Sequence, residues 1–121
     1  LLKKLFETQF GDIHGLIHCS GGGQTKCLNY LPDSYRIVKD NLFTPPVIFE
    51  LIRSASQSDN REMYQVFNMG HRLELFATEK AAAGIMAAAA AFDIEAQIVG
   101  RVEKGTKKEL IIRTKKEEIV F

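Results

Sequence analysis

The chain has 121 residues, with 16 lysines and arginines against 15 aspartates and glutamates and a net charge of +1. That balance gives no global pull towards nucleic acid or an acidic membrane surface, and no apolar run approaches the roughly 20 residues of a membrane span. Only Cys19 and Cys27 are cysteines, so no disulfide framework is implied and a reducing, cytoplasmic setting fits.

The first residues, Leu1-Leu2-Lys3-Lys4-Leu5-Phe6, lack an initiator Met and are too short and charged for a signal peptide, so the chain reads as a piece of something longer. Leu1, Leu2, Leu5 and Phe6 share one helical face, the end of a helix begun upstream. Ile13 to His18 reads as a strand interrupted by Gly15, and Gln24 to Tyr30 as a short helix stopped by Pro32. Ser34 to Lys39 forms another strand around Tyr35, Ile37 and Val38. Thr44 is the expected cap of the next helix, whose first turn accepts Pro45 and Pro46 because amides there lack partners anyway. Ile48, Leu51, Ile52 and Ala55 recur at i, i+3, i+4 and i+7, which predicts one buried face.

Asp59 and Glu62 have capping-box spacing and start a short helix that ends near Val66. Arg72 to Thr78 alternates as a strand, and Thr78 can cap the alanine-rich helix from Glu79 to Phe92, with Ile85, Ala88, Ala89 and Phe92 as its stripe. In the tail, Gln97 to Val102 and Leu110 to Arg113 read as the arms of a hairpin turning at Lys104-Gly105-Thr106, with Ile119 to Phe121 as a short last strand. Lysines and glutamates interleave there, giving a solvated surface rather than a nucleic-acid stripe. The order predicts an α/β (α+β) chain, a mixed β-sheet with packed helices, and residues 1–121 are expected to form a single domain.

The segment with most chemical content is His18-Cys19-Ser20-Gly21-Gly22-Gly23. A strand, a glycine turn and a helix start bring unpaired amides together, which makes a candidate anion or phosphate cradle. It is neither a Walker loop nor G-x-G-x-x-G, and a tight turn is the competing reading. His18 could contact a phosphate or shuttle a proton, or organise the turn through a loop carbonyl. Ser20 and Thr25 could donate to an anion or cap the helix, and Lys26 is near enough to help electrostatically. Asn68 sits as a polar residue inside Phe67-Asn68-Met69, suited either to reading a substrate amide or ribose or to satisfying backbone at a helix exit. Cys19, Cys27 and His18 lack zinc spacing, so no metal site is expected.

Glu62-Met63-Tyr64-Gln65-Val66-Phe67-Asn68-Met69-Gly70 resembles the E-M-[Y/F]-x-x-F-N-M-G segment of the AIR synthase family. The glycine segment, ending in Leu31-Pro32, is similar to that family's H-I-T-G-G-G and Leu-Pro pattern, and Pro45-Pro46-Val47-Ile48-Phe49 to its Pro-x-[I/V]-F helix. The three lie in family order across roughly residues 11 to 101. The resemblance implies the carboxy-terminal α/β domain of an enzyme that uses ATP to close the imidazole ring of formylglycinamidine ribonucleotide, giving aminoimidazole ribonucleotide in purine biosynthesis. It also implies that ATP and Mg2+ are held mainly by an amino-terminal domain, which is this domain's partner, and that the full-length protein is a homodimer. Gly21, Gly22, Gly23, Asn68 and Gly70, with His18 as a weaker candidate, are carried over as substrate or phosphate contacts. With no acidic cluster for magnesium, the 121 residues alone are expected to be inactive.

Where the family pattern continues G-I-G-M, this chain has Gly70-His71-Arg72-Leu73. His71 and Arg72 either recruit a phosphate or are surface residues at a strand start. Two further readings stand beside the first: another ATP-dependent member of the superfamily, of the thiamine-phosphate kinase or selenophosphate synthetase type, or a ligand-binding module that kept the fold without the activity.

Overall fold

Helices and strands are interspersed along the chain, with three strands in succession at its end, in a computed structural model that describes residues 1–121. The elements are α1 (Leu2–Gln9), β1 (Ile13–His18), β2 (Tyr35–Lys39), α2 (Val47–Ser56), α3 (Asn60–Val66), β3 (Leu73–Ala77), α4 (Glu79–Ala90), β4 (Gly100–Lys104), β5 (Glu109–Arg113) and β6 (Glu118–Val120). A 3-10 turn follows α1 at Phe10–Asp12, and a longer 3-10 helix, Gly23–Tyr30, stands where an ordinary helix was expected from Gln24. Leu1–Ile17 with Leu73–Ile98 gather into one compact unit, and His18–Arg72 with Val99–Phe121 into a second.

In the first unit β1 and β3 form a two-stranded sheet, and α1 packs on α4. Leu5 is the buried side chain of α1, and Ala81, Ala88 and Ala89 are those of α4. Small residues let the helices approach: a Cβ on Gly84 would lie 2.9 Å from Nε2 of Gln9. Thr78 stands at the N-cap of α4 but makes no capping bond; its hydroxyl is 3.0 Å from Oδ1 of Asp12 instead. Phe6 and Phe92, assigned by periodicity to packed faces, are each about half exposed.

The second unit is built on a four-stranded mixed sheet in the order β4-β2-β5-β6. The expected hairpin between residues 97–102 and 110–113 does not form, because β2 lies between β4 and β5, antiparallel to the first and parallel to the second. Burial explains the order. Ile37, Val38 and Lys39 of β2 and Leu110, Ile111 and Ile112 of β5 are buried in succession, as central strands require, whereas β4 exposes Arg101 and Val102 and takes an edge. Arg36 and Glu103 face each other across β2 and β4 and pair at 2.8 Å. The closing hairpin is β5–β6, turned at Thr114, whose hydroxyl accepts from the amides of Lys116 and Glu117.

α2 starts at Val47 with Pro46 rather than Thr44 at its N-cap. Its apolar stripe is open: no residue of α2 is buried, and Val47 and Leu51 are 75% and 60% exposed. Periodicity reports that a helix is amphipathic, not what covers it. α3 follows the expected design, with the Asp59 carboxylate accepting from the amide of Glu62 at 2.7 Å and with Met63 and Tyr64 buried. It packs on the 3-10 helix Gly23–Tyr30 and on α2.

Candidate functional site

β1 ends at His18, and the buried Cys19 donates its amide to the carbonyl of Arg72 at 2.9 Å. The chain then reverses: Ser20 donates to the carbonyl of His18, and Gly23 to that of Ser20 at 3.2 Å. Gly22 (φ +87°) and Gly23 (φ +49°) are both left-handed, a pair of conformations that glycine enters without a Cβ penalty. The three glycines have three different surroundings. A Cβ on Gly23 would lie 2.5 Å from the carbonyl oxygen of Phe67 and 2.8 Å from that of Tyr64, so this residue is where the turn closes onto α3. A Cβ on Gly22 would meet only the Lys26 side chain, at 3.5 Å, and one on Gly21 would meet nothing within 4 Å.

Gly21 and Gly22 are exposed, and their amides make no hydrogen bond within the chain. Over them, the Lys26 ammonium donates to the carbonyl of His18 at 2.9 Å and to the Ser20 hydroxyl at 3.0 Å. Thr25 does not face an anion; its hydroxyl donates to the carbonyl of Gly22 at 2.9 Å. The His18 side chain is exposed at the strand end. Two unspent amides, a hydroxyl and an ammonium thus converge on one open turn, the donor set that binds phosphate or carboxylate.

Asn68 and Gly70 sit beside this turn and are bonded within the chain. The Asn68 side chain donates to the carbonyl of Cys19 at 3.1 Å and accepts from the amide of Gly70 at 2.9 Å, while its own carbonyl accepts from His71 and from the Gln24 side chain. Met69 and Gly70 both have positive φ, and a Cβ on Gly70 would lie 2.8 Å from Cδ of Pro46. These groups shape the loop and fasten it to the end of β1.

Behind the turn lies a buried polar chain that the sequence did not announce. Lys39 donates its ammonium to Oε1 of Gln24 at 2.8 Å and to the Gln24 carbonyl at 3.1 Å, and both residues are about fully buried. The route runs from Cys19 through Asn68 and Gln24 to Lys39. The single local signal is a lysine closing the apolar run Ile37-Val38 of a central strand. His71 is buried as well, accepts from the amide of Phe43 at 3.3 Å and meets the Phe43 ring edge-on. Burial, and then the nearby Lys39 charge, push its pKa down to about 4. His71 is therefore neither a surface residue nor a cation that recruits phosphate; Arg72 is exposed.

Cys19 and Cys27 are buried and form no disulfide, and Cys27 donates to the carbonyl of Gln24 at 3.3 Å. No three His, Cys, Asp or Glu side chains come together as metal ligands. No helix is long and apolar enough to cross a membrane.

Residues 2–113 match the family described as AIR synthase related protein, C-terminal domain. Among curated proteins, the chain is 37% identical over 94 residues to the phosphoribosylformylglycinamidine cyclo-ligase of Methanopyrus kandleri, covering 78% of this chain and 27% of that protein. It is 34% identical over 96 residues to the enzyme of the same name from Lysinibacillus sphaericus, again covering 78% and 27%. To that of Methanocaldococcus jannaschii it is 34% identical over 91 residues, 75% of this chain and 26% of the relative. The chain thus spans about a quarter of the length of the curated relatives it matches.

Proposed function

This chain belongs to the AIR synthase related proteins as their carboxy-terminal domain, and on that premise we propose that residues 1–121 act as one domain of a cytoplasmic phosphoribosylformylglycinamidine cyclo-ligase. The whole enzyme would close formylglycinamidine ribonucleotide to aminoimidazole ribonucleotide with ATP. Bound ATP would supply the phosphoryl group that activates the formyl oxygen, and it and Mg2+ would be held mainly by an amino-terminal domain. The same domain would carry the contacts of a homodimer.

The observation that carries this reading is the pair of unspent amides at Gly21 and Gly22 under the Lys26 ammonium. A substrate phosphate seated there would accept from both amides and from the Ser20 hydroxyl, with its charge offset by Lys26. Gly23 would keep the turn in shape by its contact with α3, and Asn68 and Gly70 would hold the neighbouring loop at the distance the ligand needs. His18, exposed at the strand end, would reach the same ligand.

Gly21→Asp in the full-length protein tests the assignment, because a Cβ there meets nothing within 4 Å and the carboxylate brings a negative charge to the cradle. Calorimetric titration with formylglycinamidine ribonucleotide should show binding weakened at least about tenfold with an unchanged melting temperature. Unchanged binding would remove the turn from the substrate site. Binding without turnover by the wild-type full-length protein would favour a ligand-binding module.

A further inference from the structure

The second unit also carries a cleft of about 280 Å3 whose lining combines the largely apolar Pro45, Phe49, Tyr64 and Met69 with the polar Glu50, Arg53, Asn60, Thr114, Lys115 and Lys116. It shares no residue with the glycine turn. Its walls are tied together: the Asn60 amide donates to the Glu117 carboxylate, and Arg61 donates to the carbonyl of Val120 while lying over the Phe121 ring at 4.5 Å. These bonds fix α3 to the β5–β6 hairpin, so the cleft is bounded by fastened elements.

The polar groups around it divide into spent and unspent. Glu50 and Arg53 satisfy each other through two hydrogen bonds, and Arg53 holds the Glu50 carboxyl below its usual range. Lys115 and Lys116 form no ion pair, and the hydroxyl of Thr114 orders the turn that carries them. Tyr64 is the telling residue. It is only 7% exposed, it lines the cleft, and its hydroxyl makes no hydrogen bond within the chain. That hydroxyl opens to solvent, where a ligand or water can accept from it. Burial and the Glu117 charge also raise the Tyr64 pKa, so the group remains a proton donor through the neutral range.

We propose that this cleft binds a small organic anion with a flat apolar body, the body lying against Phe49, Met69 and Pro45 and the anionic group meeting Lys115, Lys116 and the Tyr64 hydroxyl. Two lysines without a salt bridge, of which Lys116 acts on Glu50 only at longer range, and one hydroxyl donor line the same cleft and favour an anion over a cation. The apolar wall selects against a bare inorganic ion. The size admits a single ring with one substituent and excludes a dinucleotide. Sharing no lining residue with the glycine turn, it is a second site beside the proposed substrate cradle.

Residue-resolved NMR titration of the full chain with phenyl phosphate, inorganic phosphate and phenol separates the contributions. Phenyl phosphate should shift the amides of Tyr64, Met69, Lys115 and Lys116 and bind at least tenfold more tightly than either fragment compound. The double variant Lys115→Met/Lys116→Met, altered only at exposed positions, should weaken that binding at least fivefold, and Tyr64→Phe about threefold, while Gly21→Asp should leave it unchanged. Equal binding of inorganic and phenyl phosphate, shifts confined to residues 20–26, or indifference to the double lysine change would each overturn the assignment.

Discussion

The turn at Ser20 to Gly22 and the loop at Phe67 to His71 belong to one compact unit and carry two of the motifs on which the family resemblance rests, yet they spend their polar groups in opposite ways. In the first, the amides of Gly21 and Gly22 face outward without a partner. In the second, Asn68 commits its side-chain donor to Cys19, its side-chain acceptor to Gly70 and its carbonyl to His71 and Gln24. Under the proposed function the first motif would receive the ligand and the second would hold the receiver in shape. Unspent donors mark the first kind and saturated ones the second.

The contrast can be broken most strongly at Gly23, the residue where the two loops touch. Gly23→Ala drives a methyl into the backbone of Phe67 and Tyr64 at a left-handed φ, and should cost about 4 kcal/mol in urea unfolding. A loss below about 1 kcal/mol would show that the contact yields easily and that the turn is not anchored there.

Acid should act next, through His71. Above about pH 6.5 its imidazole is neutral in both folded and unfolded chains; as the pH falls towards 4 the unfolded chain binds a proton that the folded one does not. Stability should then drop by about 3 kcal/mol between pH 7 and 4 from this group, a slope that His71→Gln removes from the pH dependence of the denaturation midpoint. Identical slopes in the two proteins would mean that His71 is not held neutral by its surroundings.

Asn68→Ala strands the Cys19 carbonyl and the Gly70 amide and should cost about 2 kcal/mol, with any loss of substrate affinity in the full-length protein following from loosening of the loop. Full stability with lost affinity would instead make Asn68 a direct ligand contact and dissolve the contrast. Gly21→Ala sharpens it from the other side: its Cβ meets nothing, so stability should stay within about 0.5 kcal/mol in the same unfolding assay.

Much of the fold was legible because it is local. The strand Ile13–His18, the Asp59 cap of α3 and the alanine-rich α4 follow from periodicity, capping chemistry and propensity, all properties of a few adjacent residues. Thr44 failed as a cap because Pro46 itself takes the extended N-cap conformation, so the helix starts later than a capping residue upstream suggests. The tail failed for a non-local reason: the turn near Gly105 joins two strands that are not neighbours, since the more deeply buried β2 takes the place between them. The site divides in the same way. The glycine triplet stood out in the sequence, but the Gln24–Lys39 bond joins residues 15 apart and Asn68 reaches Cys19 across 49, separations that no spacing rule covers.

By itself the sequence determined the family, the order of helices and strands, and the presence of a glycine turn after a strand, because each rests on residue types at fixed short spacings. Tertiary structure alone decided which strands pair, which of three glycines is packed and which are open, and that Lys39 and His71 are buried. The physical reason is that burial and hydrogen-bond saturation are set by whatever the fold brings alongside a residue, and that neighbour comes from a distant part of the chain.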